Sequence, residues 1–469
     1  MGSRFLHHLF AHSHFIIRSI ASNHDVYRKE FFALMSVAWP LVFATLAQNT
    51  LSFVDTLMAG RLGNSAIAGI ALGSTTFYLV IFVISGVLLG VSPIVSQARG
   101  ADDNAKISGV LRQAFLLSLW LLIPCWLLLY NGETLFHWLQ QPPEVAKQSG
   151  DYLKAISWGL FPGFIFLALR SALESLSDTR PILIISLFNV LLNIAANEVL
   201  MFGRFGFPAL GLVGTGYASA FVMWCGCLVL LLYLRWQYGY LRIFTFKNLF
   251  TSENRNLMWE LIKVGVPIGL TIGFEISMFS ASAFAMGWFG KDALAAHQIA
   301  LQTASIAFMI PLGISIAASV RVGQAMGADN MQGAKVAGDM GIAVSGLIML
   351  VTGMCFIFLP RGIIGLYLDL SNPENTIVVA KATSFLFIAA TFGVFDGLQV
   401  GGSMALRGMK DTRAVMVLSL LAYWGCGVTS GAIFAFALGL EGQGLWYGLT
   451  VGLGVAAVNL ILRFRSHFR

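Results

Sequence analysis

FFALMSVAWPLVFATLAQNTLSFVDTLMAG, residues 31–60, carries no charge from Phe31 to Val54, then a single acid, Asp55, before Arg61. A helix rises ~1.5 Å per residue, so about 20 apolar residues cross the ~30 Å hydrocarbon core of a bilayer. This run is long enough to do so, and only a membrane solvates it. The whole chain agrees. Its 469 residues are 57% hydrophobic and 11% charged, against the ~25% charge of soluble domains.

Apolar runs of that length predict twelve transmembrane helices: 34–60, 66–92, 108–130, 155–177, 181–202, 211–234, 262–289, 293–320, 338–359, 380–407, 414–436 and 444–464. Helix is the required form, because an unpaired backbone cannot face lipid. With the N-terminus inside, the inner segments hold 22 of the 29 lysines and arginines. That bias places both termini in the cytoplasm. The net charge of +7 therefore reports topology, not a nucleic-acid partner.

The two halves repeat. QARGAD (97–102) matches QAMGAD (324–329), and GNSAIAG (63–69) matches GKDALAA (290–296), both 227 residues apart. ALESLSDTR (172–180) matches ALRGMKDTR (405–413) at 233, and LGLVGTG (210–216) matches LGLEGQG (438–444) at 228. Pro40 and Pro267, each inside the first helix of its half, also stand 227 apart. Six spans per half is an even number, so both halves enter the membrane in the same direction. The fold expected is an all-α polytopic protein of two parallel six-helix repeats. The expected divisions are a cytoplasmic tail (1–30), an N-terminal bundle (31–234), a basic amphipathic linker (235–261) and a C-terminal bundle (262–469).

Three acids lie within spans: Asp55 in the first, Glu275 in the seventh and Asp396 in the tenth. Each costs ~2.5–3.5 kcal/mol at a helix centre on insertion scales, which points them to an interior cavity. No base shares their depth in the sequence. Lys263 and Lys291 end the seventh helix and Arg407 ends the tenth. Unpaired acids in a cavity call for a proton, a metal cation or an organic cation. At the repeat offset Glu275 corresponds to Gln48, and Asp55 to Ser282. The halves thus share a scaffold but not charge placement, and each is expected to do a different job. Amides cluster nearby: Asn193 and Asn197 four apart on the fifth helix, Gln298 and Gln302 four apart on the eighth, and Gln399 three past Asp396. Such amides, like His297, serve as interhelical glue or as ligand contacts. Pro40 and Pro267 each remove a helix hydrogen bond and are candidate hinges.

The tail MGSRFLHHLFAHSHFIIRSIASNH holds five of the eight histidines and no acid. An unstructured or surface-lying tail, a transit-like peptide and a histidine metal site are its three readings. The five cysteines fall in apolar runs without metal or disulfide spacing. No phosphate-cradling glycine loop and no nucleophile or metalloenzyme constellation is present, so the chain reads as neither an ATP-driven pump nor an enzyme. No cofactor is expected. A channel with a symmetric ring of ligands conflicts with the asymmetric acids, and a flippase for anionic lipid-linked precursors conflicts with an acidic cavity.

FVDTLMAGRLG, ALRGMKDTR, AAHQIALQ with the downstream SVRVGQAMG, and the FD of GVFDGLQ resemble the multidrug and toxin extrusion (MATE) family, in its NorM-like bacterial branch. The resemblance runs from about Glu30 to the end of the chain. It implies a monomeric, V-shaped exporter in the bacterial inner membrane that exchanges Na⁺ or H⁺ for cationic, often aromatic drugs. It implies that Asp55, with Gln48, Asn193 and Asn197, forms a substrate or proton site. It also implies that Glu275 and Asp396, with Gln298, Gln399 and Phe392, form the site of the coupling cation. Phe392 stands where some relatives place a cation-facing tyrosine.

Overall fold

The structure is a computed structural model. It describes the backbone of residues 2–62, 64–239 and 251–469, with side chains from Asp25 onward apart from 52, 64–67, 82–83 and 252–253. The tail's five histidines lie outside the described side chains, and 240–250 of the expected linker lies outside the described residues.

Among the described residues the regular elements are helices. Twelve correspond to the expected spans: α1 (Gly2–Ala59), α2 (Asn64–Ser85), α3 (Asn104–Tyr130), α4 (Leu160–Ser175), α5 (Arg180–Leu200), α6 (Leu212–Gln237), α7 (Ser252–Gly287), α8 (Lys291–Gly327), α9 (Met331–Phe358), α10 (Thr376–Gly408), α11 (Thr412–Ala437) and α12 (Glu441–Ser466). Eleven segments among the described residues are both long and apolar enough to cross a bilayer. The expected span 66–92 contributes a further apolar helical stretch, Ala68–Ile81, within α2. There α2 ends at Ser85, the chain turns through Leu88–Gly90, and a separate helix follows, Val91–Gly100. Pro93 sits in the first turn of that helix, where its missing N–H costs nothing. Two wide turns of π-helix, Leu421–Val428 and Ile433–Ala437, interrupt α11. Both α1 and α7 run unbroken through Pro40 and Pro267.

The sequence repeats mark turns of one geometry. Each of four helix ends closes with a residue at positive φ: Asp102 (54°) and Asp329 (53°), Ser177 (60°) and Lys410 (63°). The following amide reaches back five residues each time: Asp103 to Ala98 and Asn330 to Ala325 at 2.9 Å, Asp178 to Leu173 and Asp411 to Leu406 at 3.0 Å. This is the Schellman closure, which satisfies carbonyls that a helix end leaves free. Asp103 and Asn330 then cap the next helices, accepting from the amides of Lys106 (2.9 Å) and Gly333 (2.8 Å).

Buried apolar side chains form two cores. One is built mainly from α1 to α6, the other from α7 to α12. Large apolar residues such as Trp39, Phe43, Trp120, Phe284 and Phe358 stay exposed around them, as lipid contact requires. Between α11 and α12, Gly431 and Gly448 approach so closely that a Cβ on Gly448 would stand 2.2 Å from the Gly431 Cα. Small residues four apart let backbones meet in lipid, where no hydrophobic force drives helices together.

The halves meet toward one end, the end that carries the basic turns. There Thr45 of α1 donates to the Met309 carbonyl of α8 (3.2 Å), and Arg321 of α8 grips Glu30 with two bonds of 2.6 and 2.8 Å. Glu260 at the start of α7 joins Lys106 (3.1 Å) and Lys410 (2.8 Å). Burial pushes the Lys410 ammonium below its usual range, and the Glu260 carboxylate partly restores it.

Candidate functional site

Asp55 lies near the far end of α1, buried, and its carboxylate is caged. The Asn197 amide of α5 donates to Oδ1 at 2.7 Å, and the Ser219 hydroxyl of α6 donates to Oδ2 at 3.0 Å. Asn197 also donates to Asn193 Oδ1, one turn earlier, at 3.2 Å. Three helices thus converge on one carboxylate. The structure therefore brings Asp55, Asn193 and Asn197 together. Gln48, two turns before Asp55 on the same helix, is half-buried and stands outside that hydrogen-bonded set. Ser219 is absent from the sequence reading, because a lone serine in an apolar run gives no periodic signal.

The other two acids share a cavity. Glu275 of α7 and Asp396 of α10 line a space of about 280 Å³ with Phe279, Leu301, Phe308 and Phe392. Asp396 is buried, and its Oδ1 has no hydrogen-bond partner. A buried carboxylate oxygen without a donor is costly unless a cation or water completes it. Aromatic rings set the floor: Phe392 meets Trp446 edge-on at 5.5 Å and Phe279 at 6.1 Å. His297 is fully buried against the same indole at 5.6 Å, with neither ring nitrogen hydrogen-bonded. It sits in the aromatic packing under the cavity, among apolar rings.

Gln399 and Gln298 depart from the expected constellation. Gln399 is buried but its amide donates to the Tyr423 hydroxyl at 2.6 Å, which ties α10 to the π-helical part of α11. Gln298 is exposed, as is Gln302, and neither lines the cavity. The reason is angular: His297 points into the bundle, and a helix rotates ~100° per residue, so its neighbour faces outward. The expectation that no base shares the depth of the acids is also corrected. Arg407, next to last in α10, is buried with its Nε unpartnered. A residue at a helix end still delivers charge inward through a long side chain. Sequence reading likewise passed over Arg170 and Glu174 of α4, a buried pair at 2.7 Å. Their i,i+4 spacing was the available signal. Glu198, by contrast, is held at the far rim by Arg204 (3.0 Å) and Arg61 (3.8 Å).

Among the described residues no three of His, Cys, Asp and Glu gather as a metal cluster.

Comparison with known proteins matches the same plan. The family model described as MatE matches the chain twice, at residues 40–199 and 267–433, starting at the two repeated prolines. A probable multidrug resistance protein NorM of Mesorhizobium japonicum is 36% identical over 94% of this chain and 94% of its own. The protein of the same name from Burkholderia mallei is 38% identical over 92% and 91%. Among solved structures, the eukaryotic MATE transporter AtDTX14 superposes with a TM-score of 0.81 at 24% identity, covering 93% of this chain and 96% of its own.

Proposed function

Because this chain belongs to the MatE family, we propose that it is a secondary multidrug efflux transporter, exporting amphipathic organic cations in exchange for Na⁺ or H⁺. The observation that carries the reading is the cavity that Glu275 and Asp396 line together, with Asp396 Oδ1 buried and without a hydrogen-bond partner. That cavity, at about 280 Å³, falls below the ~300–1,000 Å³ usual for drug-sized ligands. It suits an ion with its water, and so the coupling cation. Two carboxylates and the neighbouring apolar rings would strip part of the hydration shell and replace it with oxygen ligands.

Asp55 takes the complementary role. Asn197 must donate to it, but the Ser219 hydroxyl both donates and accepts. The cage therefore holds the ionised acid, and by reversing one hydroxyl it holds the protonated acid too. A group that changes charge without unfolding its surroundings suits a proton or cationic-drug site. Export follows by alternating access, the two six-helix bundles rocking about the seam where they meet. The basic face is cytoplasmic and the protein lies in the bacterial inner membrane. The test is drug uptake into everted membrane vesicles loaded with Na⁺ or with acid. Uptake driven by one of the two gradients is expected, and no drug movement under either refutes the reading.

A further inference from the structure

The seam between the halves holds a reciprocal pair of contacts. Gln97, in the first QARGAD motif, donates its side-chain amide to the Gly408 carbonyl at 2.9 Å. Gln324, in QAMGAD, donates to the Ser175 carbonyl at 2.8 Å and to the Ser177 hydroxyl at 3.0 Å. Gly408 ends α10 and Ser175 ends α4, and the two stand 233 residues apart, the same offset as the repeats that contain them. Each glutamine thus caps a helix end of the opposite half, at one of the last four carbonyls that the helix itself cannot bond.

The backbones interlock beside these caps. A Cβ on Gly100 would stand 1.9 Å from the Gln324 carbonyl oxygen, and one on Gly327 would stand 1.9 Å from the Gln97 carbonyl oxygen. A Cβ on Gly90 would stand 3.0 Å from the Gly265 Cα on the same seam. Only glycine permits this approach, and it brings both amides within reach of their carbonyls.

We propose that Gln97 and Gln324 latch the two bundles closed at the basic face, each by capping a helix end of the other half. This rests on the alternating-access reading above. A neutral amide bond to a carbonyl is modest in net strength, because water replaces it when the seam opens. That is what a gate needs: closure is favoured, and opening stays within reach of an ion or a drug. Because the amide carries no charge, the latch sets the resting balance and leaves response to the acids.

Hydrogen–deuterium exchange on the full-length chain in lipid nanodiscs tests it. Gln97→Ala should speed exchange at 324–331, in the half that was not mutated, about fivefold. Gln324→Ala should do the same at 97–104, and the double variant should reach about thirtyfold, or about 2 kcal/mol. Gln324→Met keeps a similar length and volume but cannot donate, and should match Gln324→Ala. Gln302→Ala, on the exposed face of α8, should change neither motif. Acceleration confined to the mutated motif, or rates within twofold of the unmodified chain at both, overturns the latch. Drug transport by the unmodified chain, run alongside, reports on the export reading separately. Its absence, with cross-half acceleration intact, refutes that reading and leaves the latch standing as a seam contact.

Discussion

Asp55→Asn separates what the carboxylate does for stability from what it does for transport. The replacement amide keeps a carbonyl to accept from Asn197 and gains an NH₂ that donates to Ser219, whose hydroxyl then accepts. The Asn197 Oδ1 atom, buried and without a partner, offers a second acceptor. Two charge-assisted bonds become two neutral ones in the same geometry, which costs about 1 kcal/mol. For a chain of this size that lowers the midpoint of thermal unfolding by at most about 2–4 °C. Asp55→Ala behaves differently. It leaves one N–H of the Asn197 amide, which still donates to Asn193, and the Ser219 hydroxyl buried without their acceptor, at about 1–3 kcal/mol each. The expected order of stability is therefore native, Asn slightly lower, Ala lower by about 2–6 kcal/mol. Transport should vanish in both variants, because neither carries a charge that a proton or a cationic drug can neutralise. The assay pairs thermal unfolding in detergent with drug uptake in everted vesicles. Native-level uptake by the Asn variant would show that no carboxylate is needed at position 55. Equal destabilisation of the two variants would show that the cage cannot repartner.

Glu275→Gln and Asp396→Asn should each reduce gradient-driven uptake at least about tenfold while membrane insertion and unfolding midpoint stay near native, since each keeps its shape in the cavity. Full uptake by both variants would remove the cavity from the coupling mechanism. Gly327→Ala should penalise only the closed seam. Its Cβ at 1.9 Å from the Gln97 carbonyl forces the halves apart by about 1 Å, costing about 1–3 kcal/mol of closure, and exchange at 97–104 should rise about 5–150-fold. Unchanged exchange there would mean the seam is looser than its backbone distances imply.

Hydropathy alone is enough to locate the spans, because lipid demands long uninterrupted helices. It overruns the end of the second span, where apolar composition continues through Gly86 and Gly90 although the helix stops at Ser85. Composition measures solvent preference, whereas a break is decided by backbone hydrogen bonding. The same distinction runs through the sites. Asp55 with Asn193 and Asn197 was legible because acids and amides are rare in lipid and their spacing of four selects one helix face. Ser219 was not, because serine is common in membrane helices and its partner lies 164 residues away. The spacing of four puts Gln298 and Gln302 on one face of α8, but nothing in that spacing says which way the face turns, and it turns outward. Arg407 was discounted by its position at a helix end, and the length of its side chain overrode that.

Why the halves match at the seam and differ at the sites follows from where the pseudo-two-fold axis lies. At the axis the two repeats touch each other, so a contact made by one is made by the other in reverse. Gln97 reaches Gly408 as Gln324 reaches Ser175, and Gly100 fits Gln324 as Gly327 fits Gln97. A change in one copy alone leaves the other copy's partner unmatched, so such positions are held alike by packing. Inside each bundle that constraint disappears. Asp55 meets α5 and α6 of its own half and never sees Ser282, its counterpart in the other half. At the counterpart of Glu174, which pairs with Arg170, stands Arg407, buried with its Nε unpartnered. Two different electrostatic environments are thereby built on one backbone plan. On the proposed reading, a cation taken up in one bundle and a substrate released from the other need no wire between them. They need only a shared seam, whose opening exposes both sites to the same side at once.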